Sequence, residues 1–362
     1  MAQIIRSPHK PVARTVIPGQ NLAALIESNP NKAPDSKKAY IRVENGKTVT
    51  RGHLFAASHA TAWSLHDHLN LSLGDRVAIF SLNSTWYPVI VHATLLAGIV
   101  SVTLNAGYSV EELVHPFTDS KPQYVFAAPA LLPTVRDALK KAGIPEVNPK
   151  SGKKTIWILS DADQKVWGDH GEQDLRDLVD LAKGHRLETV PLTDPAQTEA
   201  FIGYSSGTSG KPKGVQITHA NQISLCYQMP SARFGEIDPN QTALAILPFF
   251  HIFQLFHSLI FDLYWSTSVY VMPRFELEPF LQAVQKYRIQ RLEVVPPILV
   301  LLAKSPVVDK YDLSSLQLIL SGAAPLSAEL GDQVEARLNR KSSIGKQGDA
   351  RICVSQCIRL DC

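Results

Sequence analysis

Between Tyr87 and Leu104 the sequence carries no Asp, Glu, Lys or Arg (YPVIVHATLLAGIVSVTL). A second run, ALAILPFFHIFQLFHSLIF from Ala243 to Phe261, is equally free of them, and Asp262 follows at once. Segments this apolar need either a bilayer or a protein interior covered on both sides. Gly98 divides the first run, and the β-branched stretch Ile99-Val100-Ser101-Val102-Thr103 follows it. That order predicts a buried helix, a glycine C-cap and a buried strand. Pro248, His251, Gln254 and His257 interrupt the second run. It predicts a strand ending at Pro248 and a buried helix after it, not a membrane span. Strands of parallel sheets, buried on both faces, read as uncharged runs of this kind.

The rest of the chain alternates short β-branched runs with helical patterns. Strands are predicted at Arg76–Leu82, Tyr124–Ala127, Thr155–Leu159, Ala200–Tyr204, Val215–Thr218, Thr242–Leu247, Ser268–Met272, Arg291–Val295 and Leu316–Leu320. Helices are predicted at Trp86–Ala97, Ala130–Lys141 and Leu277–Tyr287. Ser109-Val-Glu-Glu112 has the capping-box pattern that opens a further helix, to about Phe117. Such alternation argues for an α/β fold with largely parallel sheets. Residues 143–200, richer in Asp, Lys, Gly and Pro, read as a surface excursion between two sheet layers. With 45% hydrophobic and 19% charged residues, the chain can bury enough surface to offset its ordering entropy, so disorder is excluded. A net charge of +3 is too small to argue for nucleic acid or an anionic membrane as partner.

The most informative segment is Tyr204-Ser-Ser-Gly-Thr-Ser-Gly-Lys-Pro-Lys-Gly-Val215. It lies between two predicted strands. Ser205, Ser206, Gly207, Thr208, Ser209 and Gly210 are all small, and glycine lets a backbone approach a ligand closely. A nest of backbone N–H groups with several hydroxyls suits phosphate oxygens, and Lys211 and Lys213 add positive charge. A flexible Gly/Ser linker is the plain alternative. Linkers rarely join two strands or end in Lys-Pro-Lys-Gly. The G-x-x-x-x-G-K-[ST] spacing of a Walker A loop is absent.

This segment resembles the phosphate-binding signature of the adenylate-forming (AMP-binding) superfamily, which includes acyl- and aryl-CoA synthetases, 4-coumarate–CoA ligases and luciferases. Four further segments resemble family stretches in the family's order. They are Asn105-Ala-Gly-Tyr-Ser-Val-Glu-Glu-Leu113, Pro248-Phe-Phe-His-Ile-Phe253, Val295-Pro-Pro-Ile298 and Ser321-Gly-Ala-Ala-Pro-Leu326. The likeness covers about residues 40–348 and is nearest to the 4-coumarate–CoA ligase branch. It implies the large N-terminal domain of an adenylate-forming enzyme, layered sheets flanked by helices. Residues 1–39 are then an N-terminal arm and the start of that domain.

The resemblance also implies a chemistry. A small carboxylic acid attacks the α-phosphate of ATP to give an acyl-adenylate and pyrophosphate, and a thiol, usually coenzyme A, then displaces AMP. Activation is the point, because AMP leaves far more readily than oxide. By resemblance Ser205–Gly210, Lys211 and Lys213 hold the ATP phosphates, with Mg²⁺ bridging phosphate oxygens. Gly322, Ala323, Ala324 and Pro325 line the adenine, and His251 and Phe253 shape the acid pocket. The aromatic surroundings point to an aryl or medium acyl acid. His92 and His257, in apolar helices without a motif, read as structural residues, and simple core packing is the plain alternative for Phe249, Phe250 and Phe253.

After Gln347-Gly348 the family pattern of a YGMTE-like stretch is replaced by Asp349-Ala-Arg-Ile-Cys-Val354. The Thr and Glu of that motif, a ribose-binding Asp and the small C-terminal domain with its adenylation Lys are not matched in this sequence. No catalytic residue is therefore assigned and no metal ligand is expected. Residues 349–362 read as a non-family tail, consistent with a change of reading frame near Gly348 that transcript sequencing would test. On this reading the chain is expected to adenylate poorly or to remain as a non-catalytic module that binds nucleotide or acid. Cys353, Cys357 and Cys362 could also be read as a metal site, but no fourth ligand stands nearby. The N-terminus has no apolar core of a secretory signal, and Leu-Asp-Cys is no recognisable peroxisomal address. A cytoplasmic location is expected, with a peroxisomal one for a full-length relative.

Overall fold

The computed structural model describes residues 20–205, 211–229, 238, 240–341 and the backbone of a strand at 353–356. The strands are β1 (Lys38–Arg42), β2 (Thr48–Thr50), β3 (Arg76–Phe80), β4 (Val100–Thr103), β5 (Tyr124–Ala127), β6 (Ile156–Ile158) and β7 (Gln173–Asp174). They continue as β8 (Glu199–Ser205), β9 (Lys213–Thr218), β10 (Thr242–Ala245), β11 (Ser268–Val271), β12 (Arg291–Val294), β13 (Leu318–Ser321) and β14 (Cys353–Gln356). Helices α1 to α6 are Leu22–Glu27, Arg51–Trp63, Tyr87–Ala97, Val110–Ser120, Leu132–Ala142 and Leu175–Leu181. Helix α7 is His219–Gln228, α8 is Ile252–Gln254 and α9 is Asp262–Trp265, the last two joined by a π-helical stretch, Leu255–Phe261. Leu277–Tyr287, Pro296–Lys304 and Ala328–Lys341 form α10, α11 and α12.

The strands form two seven-stranded sheets, ordered β14-β13-β12-β10-β11-β1-β2 and β7-β6-β5-β3-β4-β8-β9. Pairing is parallel throughout except for the edge hairpins β1–β2 and β8–β9. Period-two alternation sends each strand's side chains into two different cores. On β3, Val77 and Ile79 join a core shared by both sheets with α1, α2, α3, α7 and the 255–264 segment. Ala78 and Phe80 face outward onto α4 and α5. On the other sheet, Leu292 and Val294 face α10, α11 and α12. Helices thus cover both faces of each sheet, which is why the sequence carries uncharged runs.

Local signals act as the residues dictate. Ser109 caps α4 and Glu112 returns the bond, completing the capping box. Gly98 ends α3 at φ 65°, where a Cβ would also collide with the Leu73 side chain. The helix expected after Pro248 is present, and its middle turns are π-helical. Residues 143–200 are not a surface excursion: β6 and β7 extend the second sheet at its edge, and Trp157 is fully buried. The strand predicted at Thr155–Leu159 forms as β6, while the two residues of β7 leave too short a pattern to read. In the tail, Cys353–Gln356 pairs parallel with β13 as an edge strand. Among the described residues no helix is long and apolar enough to cross a membrane.

Candidate functional site

The glycine-rich segment joins an antiparallel pair. Tyr204 faces Gly214 and Ser205 faces Lys213, so the loop forms the turn of the β8–β9 hairpin. Ser206, Gly207, Thr208, Ser209 and Gly210 lie outside the described residues; Lys211 and Lys213 are exposed. Helix α4 fastens both ends of this loop. The Tyr204 hydroxyl donates to Asp119 Oδ2 at 2.7 Å, and His115 Nε2 donates to the Pro212 carbonyl at 2.7 Å. Burial, and then the Asp119 bond, push the Tyr204 hydroxyl well above its ordinary pKa, so it stays a donor. A Cβ on Gly214 would stand 3.2 Å from Asp119 Oδ2, so the strand can lie close to α4.

The Pro248–Phe253 segment sits at the end of β10, clamped from the other sheet. The buried Asn83 side chain donates to the carbonyls of Leu247 (2.8 Å) and Met272 (3.1 Å) and accepts from the Phe249 amide (2.7 Å). Thr103 Oγ1 donates to the Phe250 carbonyl at 3.0 Å. Thr103 lies opposite Gly203 on β8, two residues before Ser205, so this clamp ties the segment to the root of the hairpin. Phe249 is fully buried against Tyr87, as its structural reading requires.

His251 Nδ1 accepts from the Phe253 amide at 3.3 Å and caps the short α8. That leaves the ring's proton on Nε2, a donor not used by the cap. Burial holds its pKa below the ordinary histidine value, so the neutral form prevails at pH 7. Two residues on, the Phe253 ring is buried against Gly322. A Cβ there would stand 2.7 Å from the ring, so only glycine fits. Gly322 N–H bonds the Val294 carbonyl at 3.1 Å, while Ala323 is held at φ 65°. Ala323, Ala324 and Pro325 are exposed. A left-handed alanine costs energy and marks a turn fixed by its surroundings. The structure therefore brings Phe253 and Gly322 into contact.

Residues 26–346 match the family model described as AMP-binding enzyme. The chain belongs to that family. It is 35% identical over 287 residues to "Probable 4-coumarate--CoA ligase 1" of Dictyostelium discoideum, an alignment covering 77% of this chain and 50% of the relative. The chain thus spans about half the length of that curated relative. Among solved structures, a natural red-emitting luciferase from Phrixothrix hirtus superposes with a TM-score of 0.77 at 29% identity. That match covers 89% of this chain and 58% of the luciferase. ATP-bound MatB from Rhodopseudomonas palustris gives a TM-score of 0.70 at 26% identity, over 92% of this chain and 59% of MatB. The fold is that of the N-terminal domain of adenylate-forming enzymes.

In this AMP-binding domain, the supports of the site escaped the reading of the sequence. Asn83, Thr103, His115 and Asp119 lie far along the chain from the segments they hold. Asn83 follows a predicted strand and Thr103 ends one. Polar residues at the carboxyl ends of parallel strands are the signal that could have singled them out. Among the described residues no group of three His, Cys, Asp or Glu side chains is arranged to hold a metal ion.

Proposed function

We propose that this AMP-binding chain holds ATP and a small carboxylic acid, as the nucleotide- and acid-binding part of an acid–CoA ligase of the acyl- or aryl-CoA synthetase kind. The observation that carries this reading is the packing of Phe253 on Gly322, which on this reading would set the floor of the acid pocket against the adenine segment. An acid and an α-phosphate must meet at such a junction for an acyl-adenylate to form. Ser205–Gly210, Lys211 and Lys213 would cradle and neutralise the phosphates. Gly322, Ala323, Ala324 and Pro325 would take the flat face of the adenine, and His251, with Nε2–H as donor, would border the acid. Mg²⁺, when bound, would spread charge over the phosphate oxygens, and the hydroxyls and amides of the Ser205–Gly210 segment would suit the phosphates themselves. The residues then contribute positioning and charge neutralisation, the main sources of rate in phosphate chemistry. Coenzyme A would be the acceptor.

Thermal unfolding with ATP–Mg²⁺ and with a non-hydrolysable 4-coumaroyl-adenylate mimic tests the binding. The test acid is the one named for the Dictyostelium relative. Binding to the folded state raises the midpoint by linkage. The expected result is a rise with both ligands. A midpoint unmoved by saturating mimic would refute the proposal. Thioester formation from acid, ATP and coenzyme A then separates a ligase from a module that only binds.

A further inference from the structure

Behind Phe253 lies a group of buried ionisable side chains that no part of the proposed function uses. Arg291 and Glu293 project from the same face of β12, and Asp262 opens α9. Arg291 Nε donates to Glu293 Oε1 at 2.8 Å, and its Nη2 donates to Asp262 Oδ1. All three are almost wholly shielded from solvent. His257, 2% exposed, comes within 3.9 Å of Glu293 Oε1 through Nδ1. Three rings stand around the imidazole. Phe253 is centred 4.9 Å away at 77°, Phe256 5.4 Å away at 74° and Phe261 6.2 Å away at 71°. Burial holds the histidine neutral, with a pKa near 4 that Glu293 only partly opposes.

Phe253 is therefore gripped on two sides. One side of the ring meets the backbone of Gly322, where no side chain can intervene. Another meets the imidazole of His257. Phenylalanine turns about two side-chain bonds, so the backbone alone does not fix its plane. A flat, buried neighbour held nearly perpendicular does. We infer that His257 is a positioning residue for the acid site, holding the Phe253 ring against Gly322, with the Arg291–Glu293–Asp262 cluster forming the rigid wall behind it. This inference rests on the proposed acid- and nucleotide-binding function and adds to it a residue that touches neither ligand. If His257 acts through Phe253, its loss should be felt where an acyl group lies on that ring. Binding of the nucleotide alone should be affected little.

The test measures two dissociation constants by calorimetry on the full chain, for AMP and for the 4-coumaroyl-adenylate mimic. His257→Leu removes the flat edge while keeping an apolar side chain. His257→Phe keeps a flat ring and removes both nitrogens. An edge-to-face aromatic pair contributes at most about a tenfold change in affinity. His257→Leu is expected to weaken the mimic by about tenfold and AMP by less than about threefold. His257→Phe is expected to stay within about threefold of the unsubstituted chain for both ligands. Equal weakening of AMP and mimic by His257→Leu would overturn the inference, as would an unchanged mimic affinity. Loss of mimic affinity in His257→Phe would overturn it as well, so either variant decides if the other fails to fold. Failure of the unsubstituted chain to bind either ligand would instead bring down the proposed function, and this inference with it.

Discussion

Two carboxylate–cation groups, one at the rim and one in the core, show how solvent access reverses the outcome of the same contacts. At the rim, Glu27 of α1 accepts from His59 of α2 through Oε2 at 3.2 Å and from His92 of α3 through Oε1 at 2.8 Å. His59 also donates through Nδ1 to the Leu187 carbonyl at 2.6 Å. A carbonyl and a carboxylate only accept, so His59 must carry both protons and is an imidazolium. Burial would raise Glu27, but the bonds from the two histidines outweigh it and hold its pKa near 2. In the core, Asp262 faces a full guanidinium charge, yet its pKa is pushed up, because burial outweighs Arg291. Among the described residues Asp262 Oδ2 and Glu293 Oε2 find no hydrogen-bond partner. Glu27 is 26% exposed, so water helps to carry its charge; the core pair has no such help.

The largest expected effect is therefore in the core. Arg291→Met leaves two carboxylates buried with no cation and should cost about 3–5 kcal/mol of stability. Replacing the whole group at once, as Asp262→Leu, Arg291→Met and Glu293→Leu, should be neutral or stabilising by about 1–4 kcal/mol. Urea unfolding of the single and triple variants checks both. If Arg291→Met lies within about 1 kcal/mol of the parent, the contrast between rim and core is wrong.

At the rim the expected loss is smaller and depends on pH. Glu27→Gln keeps the shape but removes the charge, and should cost about 2 kcal/mol near pH 6. Folding raises the His59 pKa: burial works against this, and the Glu27 and Leu187 bonds prevail. Its contribution is complete below its ordinary value of 6.5 and disappears as pH rises through the raised folded value. Glu27 acts oppositely, contributing above 4.5 and losing its effect as pH falls toward 2. Urea midpoints should therefore fall on the alkaline side of 6.5, and Glu27→Gln should flatten that fall. An identical alkaline slope in parent and variant would remove His59 from the account.

A third effect comes from histidines buried without a carboxylate bond. His219 Nδ1 accepts from the Leu22 amide at 3.1 Å, and burial lowers its pKa to about 4. His257 is lowered to a similar value by burial. Only the unfolded chain takes up these protons between pH 6.5 and 4, so stability declines as pH falls through that window. Each should contribute roughly 3 kcal/mol by pH 4. His257→Phe should remove one share of this acid loss, seen as a shallower fall of the urea midpoint. An unchanged slope would mean that His257 charges in the fold.

The same difference in burial explains how much was legible in the sequence. Tyr124–Ala127 and Leu277–Tyr287 form their predicted elements to the residue, because the strand is apolar on two covered faces and the helix has one apolar stripe facing one core. The uncharged runs gave the layered fold because both faces of their strands are covered. The β1–β2 hairpin went unread, although Asn45-Gly46 is a strong turn signal and Gly46 takes φ 73°. Lys38–Arg42 carries a charge at each end, and its place beside β11 is a contact across most of the chain. In the site, residue types pointed to the phosphate loop, and the family resemblance pointed to His251 and Gly322. The contact between Phe253 and Gly322, the Asn83 clamp and the role of α4 depend on tertiary neighbours that no local pattern encodes. Arg291 and Glu293 fall at the start and the middle of the strand predicted at Arg291–Val295. Nothing in a sequence says that such a pair lies in the core until the helix carrying Asp262 is placed over it.

The smallest expected effect isolates burial from chemistry. Arg51 Nη1 lies 3.5 Å from Asp35 Oδ1, again an arginine beside an aspartate. Here the aspartate is 82% exposed, while the arginine is shielded and also covers the Phe55 ring, its guanidinium carbon 4.5 Å from the centroid. Water and salt screen the exposed partner, so the pair should contribute little. Asp35→Ala keeps the backbone carbonyl that accepts from Gly52 N–H at 2.9 Å, and removes only the carboxylate. Its expected cost is below about 0.5 kcal/mol, shrinking further in 1 M salt. Asp262→Ala removes the same group from Arg291 and should cost several times more, without salt dependence, because the guanidinium left behind stays buried. Urea unfolding of both variants at low and high salt makes the comparison. Equal costs would mean that the contact itself, not its access to water, sets the energy of an arginine–aspartate pair in this fold.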